Sequence, residues 1–192
     1  IRKNKFVIIV EGYFDLMRLY QNGLNNVVAI SGTSFTDQHA SIIKQYTENI
    51  FIAFDGDNPG IKSAIKTGYI LIKNSLSPKI IIIPENQDPD DYVQENGIDT
   101  FIQIKSNSLS VLRTHFNFFK TDNENFNVNT FINEAVENIS TIIEPIFREI
   151  IVKELSELVN ISEESILFSI NKIIDKKNNF KKIREQVNSK AK

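Results

Sequence analysis

The sequence predicts an α/β domain with a mainly parallel sheet flanked by helices, followed by an all-helical subdomain. Three observations point there. Short apolar runs at residues 6–10, 27–30, 50–54 and 79–83 alternate with stretches of helical periodicity, which is the grammar of βαβ units. Those runs lack in–out alternation, as strands covered on both faces do. Beyond residue 130 no strand pattern remains, and apolar residues recur every three or four positions.

The elements follow in order. The first run ends at Glu11-Gly12, and residues 13–21 read as a helix turning Phe14, Met17 and Leu16/Tyr20 inward, closed by Gly23. The second strand leads into the loop Ser31-Gly32-Thr33-Ser34. Residues 36–46 form a helix with Ile42, Ile43 and Tyr46 as its apolar side. The third strand precedes a helix over 60–74, and Pro84 stops the fourth. A short helix opens at Gln87-Asp88-Pro89 and ends near Gly97, and residues 100–105 and 109–119 look helical too. These elements make a domain over 1–119. The polar, Asn-rich stretch 120–129 is its linker. In the helical subdomain over 130–192, Ile146, Phe147, Ile150, Ile151, Leu155 and Leu158 form one stripe. Ser162 caps a last helix carrying Ile166, Leu167, Ile170 and Ile173, and the basic run from Lys176 is expected to fray.

Composition narrows the class. With 192 residues and 41% hydrophobic content the chain can bury a sizeable core. Cysteine is absent, so there is neither a disulfide framework nor a thiolate metal site. No apolar run reaches the length of a membrane span, and Ile1-Arg2-Lys3-Asn4-Lys5 does not read as a signal peptide. Beginning at Ile, the chain reads as a piece of something longer. Its net charge of −2 hides an asymmetry. Residues 1–170 hold 14 Lys and Arg against 22 Asp and Glu, a balance of −8; residues 171–192 hold 8 against 2, or +6.

Candidate chemistry gathers where strands end. In open parallel sheets, ligands bind outside the carboxyl ends of the strands. Glu11 follows the first strand, Asp55 and Asp57 the third, and Asp88, Asp90 and Asp91 come shortly after the fourth. Carboxylates one residue apart, as in Asp55-Gly56-Asp57, repel unless something positive lies between them. A hard divalent cation such as Mg²⁺ does that well. Each has a plainer alternative. Asp-Gly-Asp-Asn-Pro-Gly is also ordinary turn material, Glu11 could be an exposed strand end, and Asp15 could serve a helix dipole. Asp88 before Pro89 is a natural helix N-cap, which does not preclude ligation by its second oxygen. His39 and His115 stand alone on helices and read as surface or packing residues. Lys62 and Lys66 either face phosphate or are solvated.

Four stretches carry a resemblance: Val10-Glu11-Gly12-Tyr13-Phe14-Asp15, Ser31-Gly32-Thr33, Phe54-Asp55-Gly56-Asp57-Asn58-Pro59-Gly60 and Gln87-Asp88-Pro89-Asp90-Asp91. Together they resemble the Toprim domain, most closely that of bacterial replicative primases of the DnaG type. The first and third are shared with some nucleases and topoisomerases, while Asp-Pro-Asp-Asp followed by Tyr92-Val93 narrows the likeness to primase. Residues 142–167 also resemble the helical segment that follows Toprim in primases. Two departures stand out: Ser31-Gly32-Thr33 where Leu-Gly-Thr is common, and Pro59-Gly60-Ile61 where Ala-Gly-Arg is common. The latter removes a possible phosphate contact at position 61.

The resemblance implies that Glu11, Asp55 and Asp57 are catalytic and hold Mg²⁺ or Mn²⁺. Asp88 and Asp90 would complete a second metal position, with Asp15 supporting. The implied reaction is template-directed joining of ribonucleoside triphosphates into a short RNA primer on single-stranded DNA. One ion would lower the pKa of the primer 3′-hydroxyl and the other would stabilise departing pyrophosphate. A replicative helicase would be engaged through a domain these residues do not include, in the bacterial cytoplasm, with no membrane partner. The family's zinc-binding and basic subdomains are also absent from these residues, so alone the chain is expected to be inactive or weakly active. The competing readings are a Toprim-type nuclease or topoisomerase-like enzyme, and a non-catalytic scaffold. Tyr13, Tyr20, Tyr46, Tyr69 and Tyr92 offer no nucleophile context that favours a topoisomerase.

Overall fold

A computed structural model of the chain describes residues 5–122 and 127–190, with side chains through 121 and over 127–180. The chain divides into two compact units, Ile1–Phe126 and Asn127–Lys192. That division falls inside the stretch expected as a linker. Residues 123–126 of it lie outside the described residues, while 120–122 close one helix and 128–129 open the next.

In the first unit, β1 (Val7–Val10), β2 (Val27–Ala29), β3 (Ile50–Ala53) and β4 (Lys79–Ile80) are parallel, with β5 (Leu109–Ser110) antiparallel at one edge. Their spatial order is β2-β1-β3-β4-β5. All four residues of β1 are fully buried, as the unbroken apolar run demands of a central strand covered on both faces. Helices α1 (Tyr13–Gln21), α2 (Asp37–Lys44) and α3 (Asn58–Lys73) are the crossovers. Beyond β4 come α4 (Pro89–Asn96), α5 (Ile98–Ser106) and α6 (Val111–Asp122).

Three differences from the sequence reading have clear causes. Strand β5 lies within the stretch 109–119 read as helix, because two residues are too few to carry a period; it exists by pairing Leu109 with Ile80 and Ser110 with Lys79. Helix α1 turns Asp15 and Leu19 inward, while Tyr13, Phe14, Met17 and Tyr20 are exposed. Apolar residues run all round this helix, so periodicity alone could not choose its inner face. Similarly, α2 buries Ala40 and Ile43 and leaves Ile42 and Tyr46 outside.

The second unit packs α7 (Val128–Ile139), α8 (Pro145–Val159) and α9 (Glu163–Lys190) around Phe131, Ile139, Val152, Leu155 and Ile170. The stripe expected on α8 splits: Ile151 and Leu155 are buried with Val152, but Ile146 and Ile150 are exposed. Ser162 caps α9, accepting from the Ser165 amide at 3.4 Å. The run from Lys176, expected to fray, continues α9 as far as Lys190. Among the described residues no helix is long and apolar enough to cross a membrane.

Candidate metal and phosphate site

Parallel strands deliver their carboxyl ends to one edge, and the acids arrive there by three routes. At the end of β1, Glu11 is followed by Gly12, the N-cap of α1, whose amide donates to Asp15 Oδ2 at 2.9 Å. After β3 and the buried Phe54, the turn Asp55-Gly56-Asp57 opens α3, where Asp57 Oδ1 accepts from the Gly60 amide at 2.7 Å. Past β4, Asp88 caps α4, accepting from the Asp91 amide at 2.7 Å.

Close backbone approaches hold these turns together. The Gly56 amide donates to the Gln87 carbonyl at 2.9 Å, joining the Asp-Gly-Asp turn to the segment before Asp88. A Cβ at Gly56 would lie 2.1 Å from the Pro84 carbonyl oxygen, and one at Gly60 would lie 2.4 Å from that of Asp55. Neither backbone oxygen can retreat cheaply, so both positions admit only glycine. Asp15 links the other side: its Oδ1 accepts from the Asp90 amide at 3.3 Å.

The acids feel one another. Burial raises the Glu11 pKa, the negative charge of Asp55 and more weakly Asp57 adds to it, and a hydrogen bond from Ser63 partly offsets both. Asp55 is raised by burial and then by Asp88 and Asp57. Asp15, 4% exposed, is pushed up to about 6, chiefly by burial, with Asp88 and Asp55 adding and the Gly12 and Asp90 amides opposing. Glu11, Asp15, Asp55, Asp57 and Asp88 thus form one electrostatic group. Asp90 stands apart, because Arg18 on α1 pairs with its Oδ1 and also donates to Gln94 at 2.7 Å.

Among the described residues no ion pair reaches Glu11, Asp55 or Asp57, and an oxygen-only, mutually repelling set suits a hard divalent ion. Among the described residues, no three acids already stand at the spacing of a metal cage.

Arg18 and Ser63, which sequence reasoning missed, adjoin these acids. Arg18 carries no local sign of a partner 72 residues away. Ser63 and Lys66, one helical turn apart on α3, line a 310 Å³ pocket with Glu11, Thr33, Ser34 and Thr67. Of the two lysines weighed, Lys66 faces this pocket, and Lys62 lies over the Phe118 ring at 5.2 Å. The histidines are structural. His39 Nδ1 accepts from the Thr36 amide at the start of α2, and buried His115, its pKa lowered by burial to about 4, meets the Tyr69 hydroxyl at 2.8 Å.

Residues 8–93, which include all six candidate acids, match the family described as Toprim-like. Over those residues the α/β unit is similar to Toprim-like domains. A DNA primase of Clostridium acetobutylicum is 34% identical over 186 residues, covering 95% of this chain and 31% of that protein. The zinc-binding and RNA polymerase domains of Aquifex aeolicus primase share its fold with TM-score 0.72 and 28% identity, over 88% of this chain and 40% of that one. A DNA primase domain from Pseudomonas aeruginosa shares the fold at TM-score 0.74 and 24% identity, over 87% and 54% of the two chains. The likeness to primases therefore runs past the Toprim-like domain into the helical unit. The chain spans about three tenths of the length of the curated primases it matches, 31%, 27% and 28% for the first three.

Proposed function

We propose that this chain is the metal- and nucleotide-handling part of a DNA primase, serving template-directed synthesis of RNA primers on single-stranded DNA. The observation that carries the reading is the repelling group Glu11, Asp55 and Asp57 at strand ends, in a chain alignable over 95% of its length with a DNA primase. Glu11, Asp55 and Asp57 would hold Mg²⁺ or Mn²⁺, with Asp88 contributing to a second position and Asp15 orienting the turn. Asp90 joins that second position only by sharing its carboxylate with Arg18. A divalent ion bound there supplies charge neutralisation for phosphate oxygens and lowers the pKa of an attacking hydroxyl.

The chain's own residues do the rest. Asp57 fixes the start of α3 through Gly60, so its second oxygen remains available to a ligand. Lys66, which lines the same pocket as Glu11, would attract the phosphates of an incoming ribonucleoside triphosphate. On this reading the replicative helicase would be engaged outside this segment, and the setting would be replication in the bacterial cytoplasm.

Two measurements test the reading. Titration with Mn²⁺ should broaden amide signals around Glu11, Asp55 and Asp57, and Asp55→Asn and Asp57→Asn should weaken binding sharply. Asparagine caps helices as well as aspartate, so Asp57→Asn removes charge without loosening α3. A chimera carrying this chain in place of the matched segment of the Clostridium primase should extend primers, and both substitutions should abolish extension. Unchanged Mn²⁺ affinity in both variants refutes the site; cleavage of labelled single strands in place of extension assigns the acids to a nuclease.

A further inference from the structure

Strands β1, β3 and β4 run parallel, so their starts share the edge opposite the acids. Lys5 precedes β1, Asn49 precedes β3 and Lys79 opens β4, while Lys105 comes from the last turn of α5. These residues line one pocket of about 320 Å³. The Lys105 ammonium lies 4.3 Å from the centroids of both Phe6 and Phe51, whose rings meet edge-on at 5.8 Å. Two rings thus fix the position of one charge. Among the described residues, no carboxylate lines the pocket or forms an ion pair with Lys5, Lys79 or Lys105. Burial and the like charge of Lys79 both hold the Lys105 pKa below its ordinary value. Over residues 1–170 acids outnumber bases 22 to 14, so three lysines converging with no acid among them is not a matter of abundance.

We infer that this amino-edge pocket binds a phosphate oxyanion, held by Lys5, Lys79 and Lys105 with the Asn49 side chain at its rim. Lysine ammonium groups are compact point charges that bind phosphate, and three of them converging suit its multiple negative charge. Lys105 lies over both the Phe6 and the Phe51 ring, so the faces it covers are closed to a base and the pocket takes phosphate without reading sequence. It is separate from the acidic site, since five residues of extended chain from Phe6 to Glu11 span roughly 16 Å. The plainer alternative is that Lys105 merely shields two rings, in which case Lys79 contributes nothing. The ligand's source is either a small polyphosphate or the backbone of a polynucleotide.

The test uses the 192-residue chain, ¹⁵N-labelled, in metal-stripped buffer so that the acidic edge does not recruit anions through a cation. Inorganic pyrophosphate and an oligothymidylate without terminal phosphates are titrated separately. Amides of Lys5, Asn49 and Lys79 should shift, and Lys79→Gln and Lys105→Gln should each weaken binding several-fold, with Lys153→Gln as a control on the helical unit. Lys79 is exposed, so its substitution keeps the test decisive should Lys105→Gln disturb the rings. Shifts with pyrophosphate alone assign a small anion. Shifts with both assign a polynucleotide backbone, and the salt slope should then fall by about 0.7 for each phosphate contact removed. The inference fails if neither anion shifts these amides, if both lysine variants bind as the parent does, or if polyglutamate binds more tightly than pyrophosphate.

Discussion

Asp15 gives the sharpest quantitative prediction. Its carboxyl is 4% exposed and titrates near 6, against an ordinary value of 3.8. Between those limits the native chain holds a proton that the unfolded chain has released. Stability from this group therefore rises as pH falls through 6 and is lost as pH rises through it. The full difference of roughly two pH units corresponds to about 3 kcal/mol, of which about 1.4 kcal/mol is recovered between pH 7.5 and pH 5. Raised pKa values at Glu11 and Asp55 act in the same direction. His115, lowered to about 4, and Asp37, lowered by Lys73 and Asn74, act in the opposite one. The parent's stability curve therefore mixes signs, and the informative quantity is the gap between the parent and Asp15→Asn. Asparagine keeps one acceptor oxygen and loses the other of the two that bind the Gly12 and Asp90 amides, at about 1 kcal/mol independent of pH. Urea denaturation of both proteins in metal-stripped buffer should show the gap moving by about 1.4 kcal/mol in the parent's favour from pH 7.5 to pH 5. A gap constant across that range would show that Asp15 is ionised throughout and refute the reasoning.

Three further outcomes follow from the geometry. Asp55→Asn should raise the melting temperature slightly at neutral pH without metal, because burial and the charges of Asp88 and Asp57 oppose its ionisation; a loss of several degrees in calorimetry would make Asp55 a structural acid. Gly56→Ala should cost about 3 kcal/mol or more in chemical denaturation, as its Cβ would meet two backbone oxygens, those of Pro84 at 2.1 Å and Ile83 at 2.6 Å; a loss under about 1 kcal/mol would mean that the turns can part. The chain alone should bind single-stranded DNA only weakly, at roughly 10⁻⁴ M or worse near physiological salt, because residues 1–170 net −8. Micromolar anisotropy binding that persists after removal of residues 176–192 would contradict this.

What the sequence revealed was what repeats locally or sits at a strand end. The four parallel strands were legible because each is a single apolar run, and the acids because Glu11 and Asp55 follow such runs directly while Asp57 and Asp88 sit in the turns just beyond. Strand β5 was not, since its two residues owe their conformation to β4. The inner face of α1 was misread because Tyr13, Phe14, Met17 and Tyr20 are as apolar as the residues that are buried, and the decisive contact is polar, Asp15 to the amides of Gly12 and Asp90. The Arg18–Asp90 pair and the lysine pocket escaped for a common reason. Each assembles residues from distant segments, and only the sheet's topology brings them together.

That same topology makes the direction of the strands an axis of charge. The starts of β1, β3 and β4 face Lys5, Lys79 and Lys105, and their ends face Glu11, Asp55, Asp57 and Asp88. Charges placed in this way set up a field that pulls on a charged body within about a Debye length, about 8 Å at physiological salt. A polyanion would be drawn toward the lysine end before contact, and divalent cations toward the other. The two kinds of visitor would thus be sorted during encounter, before any specific bond has formed.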